Sequence, residues 1–170
     1  RIAEEQLGTV YDAVILPQNT PVSVKVLSPN LVEDAEAFGR FGREMLATAT
    51  IQHPNSIKMI DFGEHRQVFH FVVLERLYAR TLTQVIRDER LTIERVVHIA
   101  AQICSVLAAA HREGIVHRNL KPDNILLLDN AEGDYVKVRD FGLARLQDEQ
   151  GNPEDGGLTE FGVRVGSPPY

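Results

Sequence analysis

The residues most able to do chemistry form a polar run in the second half of the chain, His117-Arg118-Asn119-Leu120-Lys121-Pro122-Asp123-Asn124, followed downstream by Asp140-Phe141-Gly142. Lysine supplies a concentrated positive charge, and asparagine and aspartate supply oxygen atoms of the kind that hard cations bind. Upstream lie Lys25 in a valine-rich run, Glu44 in a helical pattern, and His53-Pro54-Asn55. Taken singly, Lys25 and Glu44 are typical solvated residues of a strand and a helix. Their order along one chain is the informative feature, because chance rarely produces it.

The first part of the chain must position Lys25 and Glu44, and its hydrophobic pattern is mostly that of strands. Phe38, Phe41 and Met45 recur at helical spacing behind an acidic first turn, which predicts one helix over Val32–Thr50 inside the sheet region. We expect the strands to form an antiparallel meander. Runs of β-branched and aromatic residues between turn-forming residues predict Thr9–Val14, Val22–Leu27, Ile57–Phe62 and Val68–Leu74 as strands.

The second part carries the polar run and begins with helical patterns. They predict a short helix over Thr81–Arg87 and a longer one from its N-cap Thr92 to Arg112, closed by Gly114. The apolar neighbours of Cys104 predict a buried thiol. The expected buried stripe of the long helix consists of Ile93, Val96, Ala100, Ile103, Leu107 and Ala110.

Two short strands are expected after the polar run, over Ile125–Leu128 and Tyr135–Val138. Everything after Gly142 has the pattern of one long loop. A structureless loop of that length in a compact domain is usually functional.

The composition of the 170-residue chain, 44% hydrophobic and 25% charged, is typical of a globular protein with a sizeable core. A formal net charge of −6 argues against the basic surface that nucleic-acid binding requires, so we expect no nucleic-acid partner. The longest nearly apolar stretch, Ile99–Ala110, is too short to span a bilayer. We therefore expect no membrane segment in this sequence and a cytoplasmic location, including as the cytoplasmic domain of a longer, membrane-anchored protein.

In their order along the chain, the groups described above resemble the protein kinase family, and within it the eukaryotic-like Ser/Thr kinases of bacteria. The resemblance implies an α+β, bilobal protein-kinase-like fold. Residues 1–77 would form an N-lobe with an antiparallel β-sheet and the helix that bears Glu44, and residues 79–170 a mainly α-helical, incomplete C-lobe. The resemblance places the hinge at 74–78, the catalytic loop at 117–124, the metal-binding Asp140-Phe141-Gly142 next, and the activation segment at 140–170.

The sequence given ends before the family's Ala-Pro-Glu motif and its lower helices. By this resemblance the helix over Thr92–Arg112 would have one face uncovered. We therefore expect it to expose an apolar patch.

The resemblance also implies Mg-ATP-dependent phosphoryl transfer to Ser and Thr hydroxyls of protein substrates. By family position, Glu44 holds Lys25, which reaches the α and β phosphates, and Lys121 neutralises charge on the transferred group. Asn124 and Asp140 occupy the positions whose oxygen atoms hold Mg²⁺, with Mn²⁺ as an alternative.

The nucleotide site implied by the resemblance draws on the start of the chain and on the hinge. Backbone groups of Glu75 and Leu77 would hydrogen-bond adenine, and Gly8 is the retained glycine of the phosphate-binding loop. The side chains that would sandwich the adenine ring are those of Ile2, Val10, Ser23 and Leu126.

Four further positions have implied roles outside the transfer step. His117 and Phe141 are expected to pack together as a structural pair. On the activation segment, Thr159 is the hydroxyl that the resemblance favours as a phosphosite, with Arg118 receiving its phosphate. Self-association would then provide a route to autophosphorylation.

The sequence departs from the family at the position of the catalytic base. Asn119 stands where the family has the aspartate that accepts the proton of the substrate hydroxyl. A carboxamide orients that hydroxyl but has no useful basicity, and general-base assistance is typically worth roughly 10²- to 10⁴-fold in rate. Ala3 and Glu5 occupy the first two glycine positions of the phosphate-binding loop, so the affinity for ATP should also suffer.

Two function hypotheses follow from this balance. The first is a Ser/Thr protein kinase catalytic domain whose activity is weakened or lost because of Asn119, Ala3 and Glu5. The alternative is a pseudokinase that acts as a nucleotide-binding or scaffolding module in signalling. A small-molecule phosphotransferase of related fold agrees less well with His53-Pro54-Asn55 and Lys121.

Overall fold

The computed structural model describes residues 3–5, 8–33, 35, 38–39, 41–42, 45, 49–66, 69–130 and 133–141. The chain divides into two compact units. The first consists of Arg1–Arg43 and Ile57–Tyr78, and the second of Glu44–Ser56 and Ala79–Tyr170. The segment 44–56, which the sequence analysis assigned to the N-lobe, therefore groups with the second unit. Both sheets are antiparallel and each unit also contains helix, which confirms the α+β fold class.

The first unit is built on a five-stranded antiparallel sheet. Its strands are β1 (Ala3–Glu5), β2 (Gly8–Ile15), β3 (Thr20–Leu27), β4 (Met59–His65) and β5 (Phe69–Glu75). The spatial order is β1-β2-β3-β5-β4, so the four predicted strands are confirmed and the expected meander order is wrong. Only a few residues separate β4 from β5 along the chain, which favours their pairing, but a long segment separates β4 from β3 and leaves that pairing open. The more apolar β5 takes the interior position, and β4, with Asp61, Gly63 and Glu64, takes the edge.

The predicted helix of the sheet region begins earlier than expected, with α1 at Pro29–Glu33. Proline fits the first turn of a helix, because its missing N–H has no intrahelical partner there. Described residues from 35 to 49 are also helical, and Thr50 lies in a turn. Leu31, Phe41 and Met45 are buried. The ring of Phe38 lies 4.2 Å from that of His70 on β5, centroid to centroid.

The second unit contains a three-stranded sheet in the order β6-β7-β8, together with two longer helices. Its elements are β6 (Arg80–Thr81), α2 (Leu82–Asp88), α3 (Ile93–Arg112), a 3-10 turn (Pro122–Asn124), β7 (Ile125–Asn130) and β8 (Gly133–Val138). Thr81 accepts a hydrogen bond from the Gln84 N–H in a capping box, and Thr92 accepts one from the Arg95 N–H. The predicted N-cap Thr92 is thereby confirmed.

The predicted stripe of α3 is confirmed in its second half, where Ala110 is buried and Ile103 and Leu107 pack against the core. Its first half is wrong, because Ile93 is 79% exposed and Val96 and Ala100 are also exposed, whereas Ile99 and Val106 join the core formed with β7, β8 and Phe141. At 100° per residue, the observed and predicted faces are adjacent and share Ala110, and periodicity alone does not choose between them.

The predicted burial of Cys104 is wrong, because the structure leaves this residue exposed. It lies 140° around the helix from Ile99, away from the face that meets the sheet. Ile93, Val96 and Val97 are exposed as well, so α3 shows the apolar patch expected from the sequence.

Among the described residues, α3 alone is long and apolar enough to cross a membrane on length and composition. Its N-cap and the burial of Ile99, Val106 and Ala110 against the sheet are features of a helix that packs within a folded unit. Packing on the sheet accounts for the apolar residues of the buried face, while Ile93, Val96 and Val97 belong to the exposed patch.

Candidate active site

His117 opens the polar run of the second unit and is almost completely buried. Its Nε2 lies 3.0 Å from the Arg139 carbonyl oxygen, and its ring centroid lies 4.6 Å from that of Phe141. Burial lowers the pKa of His117, which favours the neutral imidazole. Because the carbonyl can only accept, the Nε2–H donates to it, and the ring ties the polar run to residues 139–141. The expected packing of His117 on Phe141 is confirmed.

Asn119, at the position of the family's catalytic base, is buried. Its N–H donates to the His117 carbonyl oxygen at 2.8 Å, across Arg118, whose φ is 62°. This left-handed conformation is uncommon outside glycine and makes the tight turn that brings Asn119 back toward His117. The loop is therefore held by its own backbone, while the side chain of Asn119 brings no carboxylate.

Asn124, the first expected metal ligand, has a fixed orientation. It is only 3% exposed, and its Nδ2 donates to the Asn119 carbonyl oxygen at 2.9 Å. Since only the amide nitrogen can donate, this bond identifies the other terminal atom as Oδ1 and turns it away from Asn119. The backbone of Asn124 accepts a hydrogen bond from the Arg139 N–H at 3.0 Å. That bond brings Asn124 next to the segment that carries Asp140.

Asp140, the second expected metal ligand, lies two residues after the end of β8 and has a φ of 62°. A non-glycine residue in this region costs on the order of 1 kcal/mol or more, and such residues cluster at functional sites. Its carboxylate is partly exposed, and Oδ2 lies 3.5 Å from Nε of Arg139. The backbone thus keeps a carboxylate accessible at the end of a buried strand.

The oxygen atoms of Asn124 and Asp140 fit a hard divalent cation in type. In the described part of the chain, no group of three or more His, Cys, Asp or Glu residues could hold a metal on its own. A cation held by these two side chains would complete its coordination with other oxygen atoms, such as those of phosphates and water.

In the first unit, Lys25 lies in the middle of β3, opposite Val10 on β2 and Val72 on β5. It is 8% exposed. Ammonium groups are seldom buried to this extent without a counter-charge, so the position is unlike that of an ordinary solvated strand lysine.

Gly8 begins β2 with a φ of 150°. A Cβ atom at this position would lie 2.0 Å from the Val26 carbonyl oxygen. Glycine is therefore required here by close backbone approach, not only by loop flexibility. Val10 and Ser23 lie half-buried on β2 and β3.

Residues 74–78, the expected hinge, form hydrogen bonds and an ion pair within the first unit. The Glu75 N–H donates to the Lys58 carbonyl oxygen at 2.9 Å, and the Glu75 carboxylate accepts from the Lys58 N–H at 2.7 Å. Arg76 forms an ion pair with Asp12 on β2, stacks over Tyr78 at 4.8 Å and donates to the Leu77 carbonyl oxygen at 3.1 Å. Sequence reasoning missed Arg76 and Asp12, because no local pattern pairs residues so far apart.

The structure thus brings several predicted residues together within each unit. His117, Asn119, Asn124 and Asp140 share one hydrogen-bonded corner of the second unit, where Lys121 and Leu126 are half-buried nearby in sequence. Lys25, Gly8, Val10 and Ser23 share the β2–β3 pair of the first unit. The expectations that lie outside the described residues concern Ile2, Glu44, Gly142, Thr159 and the side chains of Ala3 and Glu5.

Comparison with known proteins agrees with this arrangement. Residues 2–170 match the protein kinase domain family. The chain is 38% identical to the serine/threonine-protein kinase pkn3 of Myxococcus xanthus, over 99% of this chain and 31% of that protein. It is 32% identical to the serine/threonine-protein kinase PknB of Mycobacterium tuberculosis, over 96% of this chain and 26% of that protein.

Solved structures give the same result. The PknI kinase domain of Mycobacterium tuberculosis is similar with a TM-score of 0.71 at 27% identity, over 84% of this chain and 58% of that structure.

The chain spans between about a fifth and a third of the length of the curated relatives it matches.

Proposed function

The chain belongs to the protein kinase family, and from this premise we propose that it binds Mg–ATP and transfers the γ-phosphoryl group to Ser and Thr hydroxyls of proteins, at a rate reduced by Asn119. The observation that carries this proposal is the fixed carboxamide of Asn124. Its bond to the Asn119 carbonyl keeps Oδ1 oriented for a cation, and its backbone bond to Arg139 keeps Asp140 close by. This arrangement supports the metal binding that the proposal requires.

Bound Mg²⁺ would supply charge neutralisation on the phosphates, which is the main requirement of phosphoryl transfer through a loose transition state. Asn124 and Asp140 would hold the cation through oxygen. Lys25 and Lys121 would add positive charge toward the phosphates, Lys25 with Glu44 as its partner. Because most of the rate enhancement comes from positioning and charge, these residues can support turnover without a carboxylate base.

Asn119 would orient the substrate hydroxyl by hydrogen bonding and leave its proton to solvent or to phosphate oxygen. Loss of the general base should slow transfer by roughly 10²- to 10⁴-fold, or about 3 to 5 kcal/mol of barrier. This is a large loss, but it does not abolish the reaction.

A pseudokinase is the second candidate, and the buried carboxamide of Asn119 favours it specifically. Ala3 and Glu5 support the same alternative, since both replace glycines that allow backbone amides to approach phosphate. In that case the chain would keep nucleotide binding or a scaffolding surface and signal through protein contacts.

The proposal also covers protein substrates, adenine contacts and cellular location. Substrates would be proteins with accessible Ser or Thr, and self-association would allow phosphorylation of Thr159. The adenine contacts would come from the hinge residues Glu75 and Leu77. We propose a cytoplasmic location, as the relatives are serine/threonine-protein kinases of bacteria.

Binding of a fluorescent ATP analogue, measured with and without Mg²⁺, tests the metal site directly. Asn124→Leu and Asp140→Asn should each remove most of the Mg²⁺-dependent gain in affinity. Asp123→Asn is the matched control, because the Asp123 carboxylate accepts from the Thr83 hydroxyl at 2.7 Å and has no assigned role in metal binding. Equal losses in all three variants, or no Mg²⁺ dependence in the unmodified protein, would refute the proposed site.

A further inference from the structure

The outer edge of β8 is covered by two side chains and a short backbone segment instead of by a full strand. In the sheet order β6-β7-β8, β8 pairs with β7, and on its other side Val138 forms an isolated parallel bridge with Ser56. Four backbone groups of β8 that point away from β7 have hydrogen-bond partners: the Asp134 carbonyl, the Val136 N–H and carbonyl, and the Val138 N–H. Because β8 runs directly into Arg139 and Asp140, whatever holds this edge also holds the approach to the expected metal ligand.

Gln102 on α3 provides the first half of this cover. Its Oε1 accepts from the Val136 N–H at 3.0 Å, and its Nε2 donates to the Asp134 carbonyl oxygen at 2.8 Å. A carboxamide has the same donor and acceptor as a peptide group, so Gln102 satisfies the strand as a neighbouring backbone would. Gln102 is one of two polar residues, with Ser105, in the nearly apolar stretch Ile99–Ala110 of α3, which is a signal that the sequence does contain.

Asn55 provides the second half. Its side-chain Nδ2 donates to the Val136 carbonyl oxygen at 2.7 Å and to Gln102 Oε1 at 3.0 Å. The backbone carbonyl of Asn55 accepts from the Val138 N–H at 2.7 Å. The two side chains therefore meet at Gln102 Oε1 and cover consecutive outward-facing groups of β8. The last of these bonds, at Val138, lies only two residues before Asp140 in the chain.

The segment around Asn55 is itself anchored. The Asn55 N–H donates to His53 Nδ1 at 3.1 Å, and His53 Nε2 lies 3.1 Å from the Ser105 hydroxyl on α3. Since Nδ1 accepts, the proton is on Nε2 and donates to Ser105. Lys137 adds a bond from Nζ to the Ser56 carbonyl oxygen at 3.1 Å. Residues 53–56 are thus fixed to both the helix and the strand.

We propose that Gln102 is a positioning residue for Asp140, acting through the outer edge of β8 together with Asn55; this inference rests on the proposed function for the metal-binding role of Asp140. A left-handed residue such as Asp140 keeps its conformation only when the chain around it is well fixed. Gln102 touches neither metal nor nucleotide. Its effect on the site passes through Val136 and Val138.

The test combines amide hydrogen exchange, resolved by residue with NMR, with Mg²⁺ titration in the presence of a fluorescent ATP analogue. Gln102→Leu removes both polar atoms at similar volume, and Gln102→Glu keeps the acceptor for Val136 and Asn55. Cys104→Ala, an exposed position on the same helix, is the control. In Gln102→Leu we expect the Val136 and Val138 amides to exchange at least about tenfold faster. The half-saturating Mg²⁺ concentration should rise about fivefold or more, without loss of Mg²⁺-free nucleotide binding.

Gln102→Glu should protect the Val136 amide better than Gln102→Leu, because its oxygen can still accept. Unchanged exchange in Gln102→Leu would overturn the proposal, and so would faster exchange with an unchanged Mg²⁺ requirement. If the unmodified protein shows no Mg²⁺-dependent binding, the proposed function fails separately. The exchange rates of the Arg139 and Asp140 amides then decide the inference, since faster exchange in Gln102→Leu supports positioning of this segment and unchanged exchange refutes it.

Discussion

Replacement of Arg95 by leucine should destabilise the second unit through the loss of one bidentate ion pair. Nε and Nη2 of Arg95 donate to the two carboxylate oxygens of Asp134 at 2.6 and 2.9 Å, and Nη1 donates to Glu89 at 2.6 Å. The Asp134 side chain is only 7% exposed, whereas that of Arg95 is 28% exposed. Arg95→Leu therefore leaves a buried carboxylate without its main donor.

The magnitude follows from these exposures. Breaking a fully buried pair from one side costs about 3 to 5 kcal/mol, and an exposed pair contributes at most about 1 kcal/mol. For a carboxylate that is buried and a guanidinium that water reaches, we expect a loss of about 2 kcal/mol in the free energy of unfolding at pH 7. With a urea m-value of about 2 kcal/mol/M, the midpoint should fall by about 1 M.

The pH dependence gives an independent check. The hydrogen bonds from Arg95 hold the pKa of Asp134 below its ordinary value of 3.8. A carboxyl whose pKa is lowered by folding contributes stability that is complete above its unfolded pKa and is lost as the pH falls through its folded pKa. The difference between the unmodified protein and Arg95→Leu should therefore be constant from about pH 5 to pH 8 and shrink below about pH 4.

Urea unfolding followed by circular dichroism measures both effects. Arg87→Leu is the control, because the Arg87–Asp88 pair is exposed and its loss should leave the midpoint unchanged. In the Asp134→Asn background, Arg95→Leu should cost clearly less than in the unmodified protein. A loss below about 0.5 kcal/mol, or an equal loss in both backgrounds, would refute the reasoning.

Two further predictions concern single residues of the site. Gly8→Ala should destabilise the first unit by about 2 kcal/mol or more, because its Cβ would meet the Val26 carbonyl oxygen at 2.0 Å. The control is Gly42→Ala in the helical segment, whose Cβ meets nothing within 4 Å. This control should raise the melting temperature, because alanine favours a helix more than glycine does. Burial lowers the pKa of His117 from 6.5, so the unfolded state takes up its proton first and stability should fall as the pH drops below about 6.5. His117→Phe should flatten this fall relative to the unmodified protein in melting scans between pH 5 and 8, and parallel curves would contradict the burial argument.

Much of the fold is predictable because local rules and tertiary packing agree. The runs over β2, β3 and β5 are rich in β-branched and aromatic residues, and all three form strands. Thr92 has the side chain that an N-cap needs, and it accepts the expected bond. The strand order was not predictable in the same way, because a long segment separates β3 from β4 and lets the more apolar β5 insert between them.

The site is predictable where chemistry is local in sequence. His117, Asn119 and Asn124 lie within one short loop, and the loop's own bonds join them. The buried face of α3 could not be chosen by periodicity, because two adjacent stripes of the helix are both apolar. Long-range side-chain contacts such as that of Arg76 with Asp12 leave no local sequence pattern. Each partner, taken alone, is a charged residue of the kind found on any protein surface.

The most direct test of the central claim is transfer of the γ-phosphoryl group from radiolabelled ATP to the protein itself and to a basic protein substrate. The full-length protein is compared with Asn119→Asp and with Asn119→Asp/Lys25→Ala, which sets the background. We predict slow transfer above background by the unmodified protein and a gain of roughly 10²-fold or more in Asn119→Asp. Transfer by neither the unmodified protein nor Asn119→Asp would contradict the account and indicate a pseudokinase.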